Sequence, residues 1–289
     1  MIVDVHVHPV SRDLVRDPRN LRMMERDAVC LAREDAVSLL IERMDRAGVD
    51  RACLMGPTGG DGIALTNDMV RAAVARHPQR LLGFVGVDPI GGDPGRVREV
   101  ALEAIDDWGF RGVGELCGDL LDARYEPIYR ICAERQVPLL VHVGIPLPSM
   151  LLRHGQPILL DELAHRHPEL TIIAAHVGMP WFLETIAVAV RHPNVYLDVS
   201  AIPVTGRDAV VHAVLGLLWE RGLEDRVLFG TDFPLVDPAR YLAVLRRGPG
   251  WLARRLMRLP RMTAGMRDKL LGGNAARLLK LDESGERIR

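Results

Sequence analysis

The chain opens on an alternation. In Val3-Asp4-Val5-His6-Val7-His8 the valines take one parity and Asp4, His6 and His8 the other. Valine suits strands, and successive strand side chains point to opposite faces. The stretch therefore reads as a strand with Asp4, His6 and His8 on one face and three valines on the other. Further along, two rhythms take turns. Val37, Leu40, Ile41 and Met44 recur at helical spacing, which predicts a helix over 34–47 ended by Gly48. Short apolar runs predict strands over 51–56, 81–87, 110–116, 137–144, 170–178, 195–200 and 227–232. Helical patterns lie between and after them, over 67–76, 94–108, 126–136, 157–167, 180–191, 207–221 and 238–247, several bounded by proline.

Two stretches break the alternation of strand and helix. Val10 to Arg33 has no clean period and carries Arg12, Arg16, Arg19, Arg22 and Arg26. It reads as a long charged loop, of the kind that covers or lines a binding site. Residues 251–289 read as C-terminal helices. Eight strands, each followed by a helix, imply a parallel sheet buried on both sides. Eight such units close at roughly 250 residues. The expected fold is α/β: a (β/α)8 TIM barrel with additional C-terminal helices. It forms one domain over 1–289, with a core over 1–250 and a helical extension over 251–289. The competitor is an open doubly wound sheet. No glycine-rich phosphate loop follows the first strand; His8-Pro9 stands there instead.

Composition narrows the class. A hydrophobic fraction of 48% over 289 residues supports a sizeable core. A net charge of −1 gives no case for nucleic acid or an anionic membrane surface. Cys30, Cys53, Cys117 and Cys132 show no C-x-x-C spacing and read as reduced, buried thiols. A strand starting at residue 2 leaves no room for a signal peptide, and no apolar run approaches the roughly 20 residues of a membrane span. The expectation is a soluble cytoplasmic protein acting on a small molecule, with no nucleic-acid or membrane partner and homodimerisation left open.

Candidate chemistry lies at the strand ends, where such barrels keep their active sites. His6 and His8 stand roughly 6.6 Å apart at Cα and can turn toward one cation at about 2.0–2.1 Å. Later strands end in Glu115, His142, His176, Asp198, Ser200 and Asp232. Singly, each has an ordinary reading: a hydrogen-bonded buried histidine, or an acid capping the next helix. Asp4 and Asp198 are expected in supporting positions. Together, so many ionisable groups in one enclosed mouth would be costly to desolvate. A divalent cation removes that cost by pairing carboxylates and taking imidazole lone pairs. Imidazole-rich sites suit zinc, with manganese, iron, cobalt or nickel as alternatives. His77, His167 and His192 precede prolines at helix ends and His165 lies within a helix, so these four are expected at the surface.

The ordered set His6-Val-His8, His142, His176, Asp232 resembles the amidohydrolase superfamily. More narrowly it resembles the amidohydrolase-related (amidohydrolase 2) family, which includes metal-dependent hydrolases, lactonases and carboxymuconate-semialdehyde-type decarboxylases. Ala174-Ala-His-Val-Gly178, Gly230-Thr-Asp-Phe-Pro234 and Leu271-Gly-Gly-Asn-Ala-Ala-Arg-Leu-Leu279 are similar to that family's. The resemblance implies that His6, His8, His142 and Asp232 hold the metal. It implies that His176 is the acid/base beside metal-bound water, with Asp232 as a proton relay. Some superfamily members bridge two metals from strand four with a carboxylated lysine or a glutamate. Glu115 stands at that place, in a setting that also resembles the TatD-type deoxyribonuclease branch, so one or two ions are implied. The implied activity is hydrolysis of a small carbonyl substrate such as a lactone, amide or ester, including an anionic one held by arginines of Val10–Arg33. The alternatives are non-oxidative decarboxylation of an unsaturated acid and, more remotely, a TatD-like phosphoesterase or an inactive metal-binding scaffold. The related decarboxylases are usually somewhat longer, which favours hydrolysis.

Overall fold

In the computed structural model, which describes residues 1–205, 208–248 and 262–282, eight parallel strands follow one another in sequence order. They are β1 (Val3–Val7), β2 (Arg51–Leu54), β3 (Leu81–Val85), β4 (Gly112–Leu116), β5 (Leu139–Val141), β6 (Ile172–Ala174), β7 (Val195–Asp198) and β8 (Val227–Leu228). The chain just beyond β8 closes the ring onto β1. Val5 N–H donates to the Phe229 carbonyl at 2.9 Å, Asp232 N–H to the His6 carbonyl at 2.8 Å and His8 N–H to the Phe233 carbonyl at 2.8 Å. The expected TIM barrel is the fold observed.

Helices cross between the strands: α2 (Ala36–Ala47), α3 (Asn67–Arg76), α4 (Pro94–Asp106), α5 (Glu126–Arg135), α6 (Pro157–Arg166), α7 (Phe182–Arg191), the short α8 (Ile202–Thr205), α9 (Asp208–Glu220) and α10 (Pro238–Arg247). Local chemistry sets their starts. Asp93 and Asp237 accept from Arg96 N–H and Arg240 N–H, at 2.9 and 3.0 Å, each with proline at the first helical turn. Gly48 ends α2 at φ 72°, a conformation that favours glycine. In the C-terminal extension, helices cover Ala264–Asp268 and Asn274–Leu278; residues 251–261 and 283–289 lie outside the described residues. Among the described residues no helix is long and apolar enough to cross a membrane. All four cysteines are buried and free.

The strands sort their side chains into two layers. Val3, Val5, Cys53, Leu82, Phe84, Leu140, Ile173 and Leu228 pack together inside the ring, joined by Ala275, Leu279 and Leu281 of the C-terminal segment. Their alternates, such as Leu54, Val113, Leu139, Ile172, Leu197 and Val227, pack outward under the helices.

Three expectations need correction. Asp4, His6 and His8 do not share one regular face. The β1–β2 register runs Asp4↔Ala52 and then Val7↔Leu54, so β1 carries one extra residue. That bulge inverts the parity: Val3 and Val5 lie in the inner cluster and Val7 in the outer one. Within the supposed loop Val10–Arg33, Pro18–Asp27 is a helix, α1. Asp17 caps it and Pro18 opens it, while the buried face is only Asn20 and Met24, too polar a stripe for a hydrophobic-period reading. His192 is buried rather than at the surface, its Nε2 2.8 Å from Asp161 Oδ1, and His167 is half-buried between Glu126 and Glu169.

Candidate metal centre

The bulge in β1 has a counterpart in β4, where Val113↔Leu139 is followed by Leu116↔Val141. One extra residue again lies between the paired positions, and both flanking residues, Val113 and Leu116, face outward. Each irregularity turns the residue within it, His6 or Glu115, into the mouth of the barrel. His176 (φ 59°) and Asp232 (φ 57°) are brought in by left-handed backbone just past β6 and β8. His8 and His142 complete the cluster.

Glu115 stands at its middle. Its Oε2 lies 3.5 Å from His6 Nε2 and 3.3 Å from His8 Nε2. Its Oε1 lies 2.9 Å from His142 Nδ1 and 3.5 Å from His176 Nε2. Asp232 closes the other side, with Oδ1 3.4 Å from His8 Nε2 and 4.0 Å from His6 Nε2, and Oδ2 3.9 Å from His176 Nε2. His6 Nε2 and His8 Nε2 are 3.0 Å apart. Donors bound at about 2.1 Å to one ion stand roughly 3.0–3.4 Å from each other in octahedral or tetrahedral arrangement; the His6–His8, His8–Glu115 and His8–Asp232 spacings fall in that range. Two sets have donor atoms mutually within 4.8 Å: His6, His8 and Asp232, and His6, Glu115 and His176. His142 belongs to neither and reaches the cluster through Glu115; its Nε2 is buried without a hydrogen-bond partner.

The surrounding hydrogen bonds fix which ring nitrogens face inward. His6 Nδ1 lies 3.0 Å from Asp198 Oδ2, an acceptor, so Nδ1 carries a proton and Nε2 is the nitrogen that faces the cluster. The Ser200 hydroxyl donates its one proton to Asp198 Oδ1 in a short contact. Its oxygen must then accept from His176 Nδ1–H, 2.8 Å away, so Nε2 is the His176 nitrogen that faces the cluster. Asp4 stands behind: its Oδ1 accepts from Thr231 N–H at 2.9 Å and His6 N–H at 3.2 Å, its Oδ2 from the Thr231 hydroxyl at 2.6 Å.

The electrostatics are those of a tightly paired cluster. Burial disfavours charge on Glu115, but His6 and His142 outweigh it and hold its carboxyl well below the ordinary range. Burial likewise opposes charge on His6, yet Glu115 and Asp198 raise it well above the usual imidazole value. His176 is raised against burial by Glu115 and Asp232, and Asp198 is lowered against burial by His6. Burial pushes Asp4 up to about 7, with the Thr231 bonds pulling the other way.

Above the cluster lies a cavity of about 480 Å³ with an apolar wall that includes Met23, Met24, Ile63, Met150, Met179 and Leu235. The arginines of Val10–Arg33 do not converge on it. Arg12 pairs with Glu25 and Arg19 with Asp17; of the six only Arg26 lines the cavity, and it is bonded to Asp27 at 2.7 Å. A second carboxylate, Asp61, lines the wall and is 5% exposed. It lies in the β2–α3 connection among glycines, where no sequence period marks it. Ser200 was legible as a strand-end residue but not as the link between two histidines.

Comparison with known proteins gives the setting. A family model described as Amidohydrolase matches residues 3–281. Over 96 residues the chain is 31% identical to Protein fluG of Emericella nidulans, a match spanning 33% of this chain and only 11% of that protein. An uncharacterized TIM-barrel protein from Bordetella bronchiseptica superposes with a TM-score of 0.74 at 23% identity, covering 96% of this chain and 98% of the other. A 5-carboxyvanillate decarboxylase from Novosphingobium aromaticivorans, complexed with manganese, gives 0.66 at 19% identity, covering 97% and 96%. A protein described as a probable 2-pyrone-4,6-dicarboxylic acid hydrolase from Acinetobacter baumannii gives 0.64 at 15%, covering 97% and 99%. At these identities the structural likenesses establish the shared fold.

Proposed function

We propose that this chain, which belongs to the amidohydrolase family, is a metal-dependent hydrolase of small carbonyl compounds whose cluster around Glu115 would hold two divalent cations. One observation carries the reading. The two oxygens of Glu115 divide four imidazoles into pairs, Oε2 facing His6 and His8 and Oε1 facing His142 and His176. A carboxylate so placed could serve two ions, and two-ion sites suit metal-assisted hydrolysis. His6, His8 and Asp232 would hold one ion, and Glu115 and His176 the other, with His142 bonded to Glu115 from behind. Zinc suits the imidazoles; the manganese named for the decarboxylase relative is an alternative. Bound divalent cations supply Lewis-acid polarisation of the carbonyl and lower the pKa of water.

The chain's own groups do the rest. Asp198 and Ser200 keep His6 and His176 in the tautomer that faces the cluster. Asp232, at the cavity floor, takes the proton from the attacking water and returns it to the leaving group. The apolar wall excludes other water.

A second reading rests on a separate observation. Apart from Arg26, held by Asp27, the cavity lining contains no arginine or lysine among the described residues, so a carboxylate inside it faces methionines. Such an environment favours losing the charge as carbon dioxide. In that reading one ion suffices. The bond from carbon to the carboxyl group breaks, and His176 gives a proton to the carbon left behind.

Metal stoichiometry separates the two. Elemental analysis should find about two ions per chain, falling to one in Glu115→Gln. Hydrolysis of a lactone, amide or ester should accompany the full count, with carbon dioxide release from unsaturated or aromatic acids at background. One ion in both proteins, together with carbon dioxide release that His176→Ala abolishes, would replace the hydrolase reading with the decarboxylase one.

A further inference from the structure

Asp61 has no part in the metal cluster, yet it is one of the most enclosed charged groups of the cavity. Its backbone is held from two other loops. The buried Asn20 of α1 donates from Nδ2 to the Asp61 carbonyl at 2.5 Å and stands 3.0 Å from Ser149 Oγ. Asn20 Oδ1 accepts from Ser149 N–H at 3.1 Å, and Ser149 Oγ donates to the Asp61 carbonyl at 3.2 Å. The connections after β1, β2 and β5 are thus laced at one point, and Asp61 is fixed in place before any ligand arrives. Its carboxylate accepts from Ile63 N–H at 2.9 Å, and the Asp61 and Thr58 backbone amides also bond it. A carboxylate has about four acceptor positions, so it keeps acceptor capacity for the cavity. Among the described residues no basic side chain forms an ion pair with it.

We infer that Asp61 is a specificity-determining residue that accepts a hydrogen bond from a donor group of the substrate, a hydroxyl, amine or amide N–H, and turns away a second carboxylate. The inference rests on the reading of this cavity as the substrate site. It defines the substrate class: a molecule of about one ring, largely apolar, with one carbonyl or carboxyl group for the metal cluster and one donor for Asp61. Asp61 is set apart from the other cavity carboxylates: Glu115 and Asp232 belong to the histidine cluster and Asp27 is bonded to Arg26, while Asp61 has only the nearby charge of His8 acting on it. A dicarboxylic acid would bring a second anion toward an unpaired carboxylate in a poorly hydrated space.

Isothermal titration calorimetry on the manganese-loaded protein tests it with benzoate, the three monohydroxybenzoates and isophthalate. The best hydroxybenzoate should bind about tenfold or more tighter than benzoate, the range expected for a hydrogen bond to a charged acceptor. Isophthalate should bind more weakly than benzoate. Asp61→Ala should keep its metal and its benzoate affinity and bring the hydroxyl preference to within about twofold. Asp61→Asn, nearly the same shape, should admit isophthalate. A hydroxyl preference that survives in Asp61→Ala overturns the inference, as does isophthalate binding the parent as tightly as benzoate. Loss of metal from both variants overturns it too, by making Asp61 a support of the cluster. Failure of the underlying reading looks different: benzoate would bind the parent equally before and after chelation of the metal, or not at all, and the inference would fall with it.

Discussion

The floor of the barrel and its mouth are built by the same eight strands and differ in regularity. On the floor, Val3, Val5, Leu82, Phe84, Leu140 and Ile173 keep the period of two and pack one apolar layer inside the ring. At the mouth the period fails. Both strands that carry central cluster residues, β1 and β4, hold an extra residue, and His176, Val177, Ala201 and Asp232 adopt positive φ. Non-glycine residues there cost on the order of 1–3 kcal/mol each. Local backbone preference is overruled where side chains must converge on one point, and the regular floor supplies the stability that allows it.

The comparison can be broken most directly at the floor. Phe84 is fully buried, and its ring lies against Gly112, which has no side chain to fill the space. Phe84→Ala should cost about 3–5 kcal/mol of unfolding free energy in urea titration. The metal content of the remaining folded protein should match the parent. Equal loss of metal and of stability would mean that floor and mouth are one cooperative unit and that the division is wrong.

The same division governs what could be read in advance. The strand and helix order, the barrel and the identity of His6, His8, Glu115, His142, His176 and Asp232 as one cluster follow from apolar runs ending in polar residues. Those signals are local. The bulges are not legible, because an extra residue in β1 shows only against its partner β2, and so simple alternation places Asp4 on the face of His6. Helix α1 escaped because its buried face is Asn20 and Met24. Asp61 and Asn20 escaped because three loops meet through them, at sequence separations of 41 and 129 residues.

A change at the back of the mouth sharpens the comparison at intermediate size. Asp198 accepts from His6 Nδ1–H, from the His176 and Ser200 backbone N–H groups at 3.1 and 2.8 Å, and from the Ser200 hydroxyl. Asp198→Asn keeps the shape and removes the charge that stabilises His6 as a donor. Metal affinity should fall by about 10–100-fold, the usual effect of disturbing a partner behind a metal-binding histidine. Competition with a chromogenic chelator measures it. Unchanged affinity would show that His6 is oriented by packing alone.

The smallest effect belongs to the lacing above the cavity. Asn20→Ala leaves the Ser149 N–H and one bond to the Asp61 carbonyl without a partner in a buried place, at a cost of about 1–3 kcal/mol. If the mouth is a locally stabilised layer on an independent floor, that cost falls on the loops alone. Hydrogen exchange should quicken at Ile63 and Ser149, both bonded within the lacing, while the amides of β3 and β6 keep their protection. The urea midpoint should move little, because loops that open below the global transition take their lost energy with them. The hydroxyl preference assigned to Asp61 should weaken in the same variant, since a loosened carboxylate must be ordered again by the ligand. A midpoint that drops by the full amount, with protection lost evenly from mouth to floor, would mean that the lacing stabilises the whole barrel.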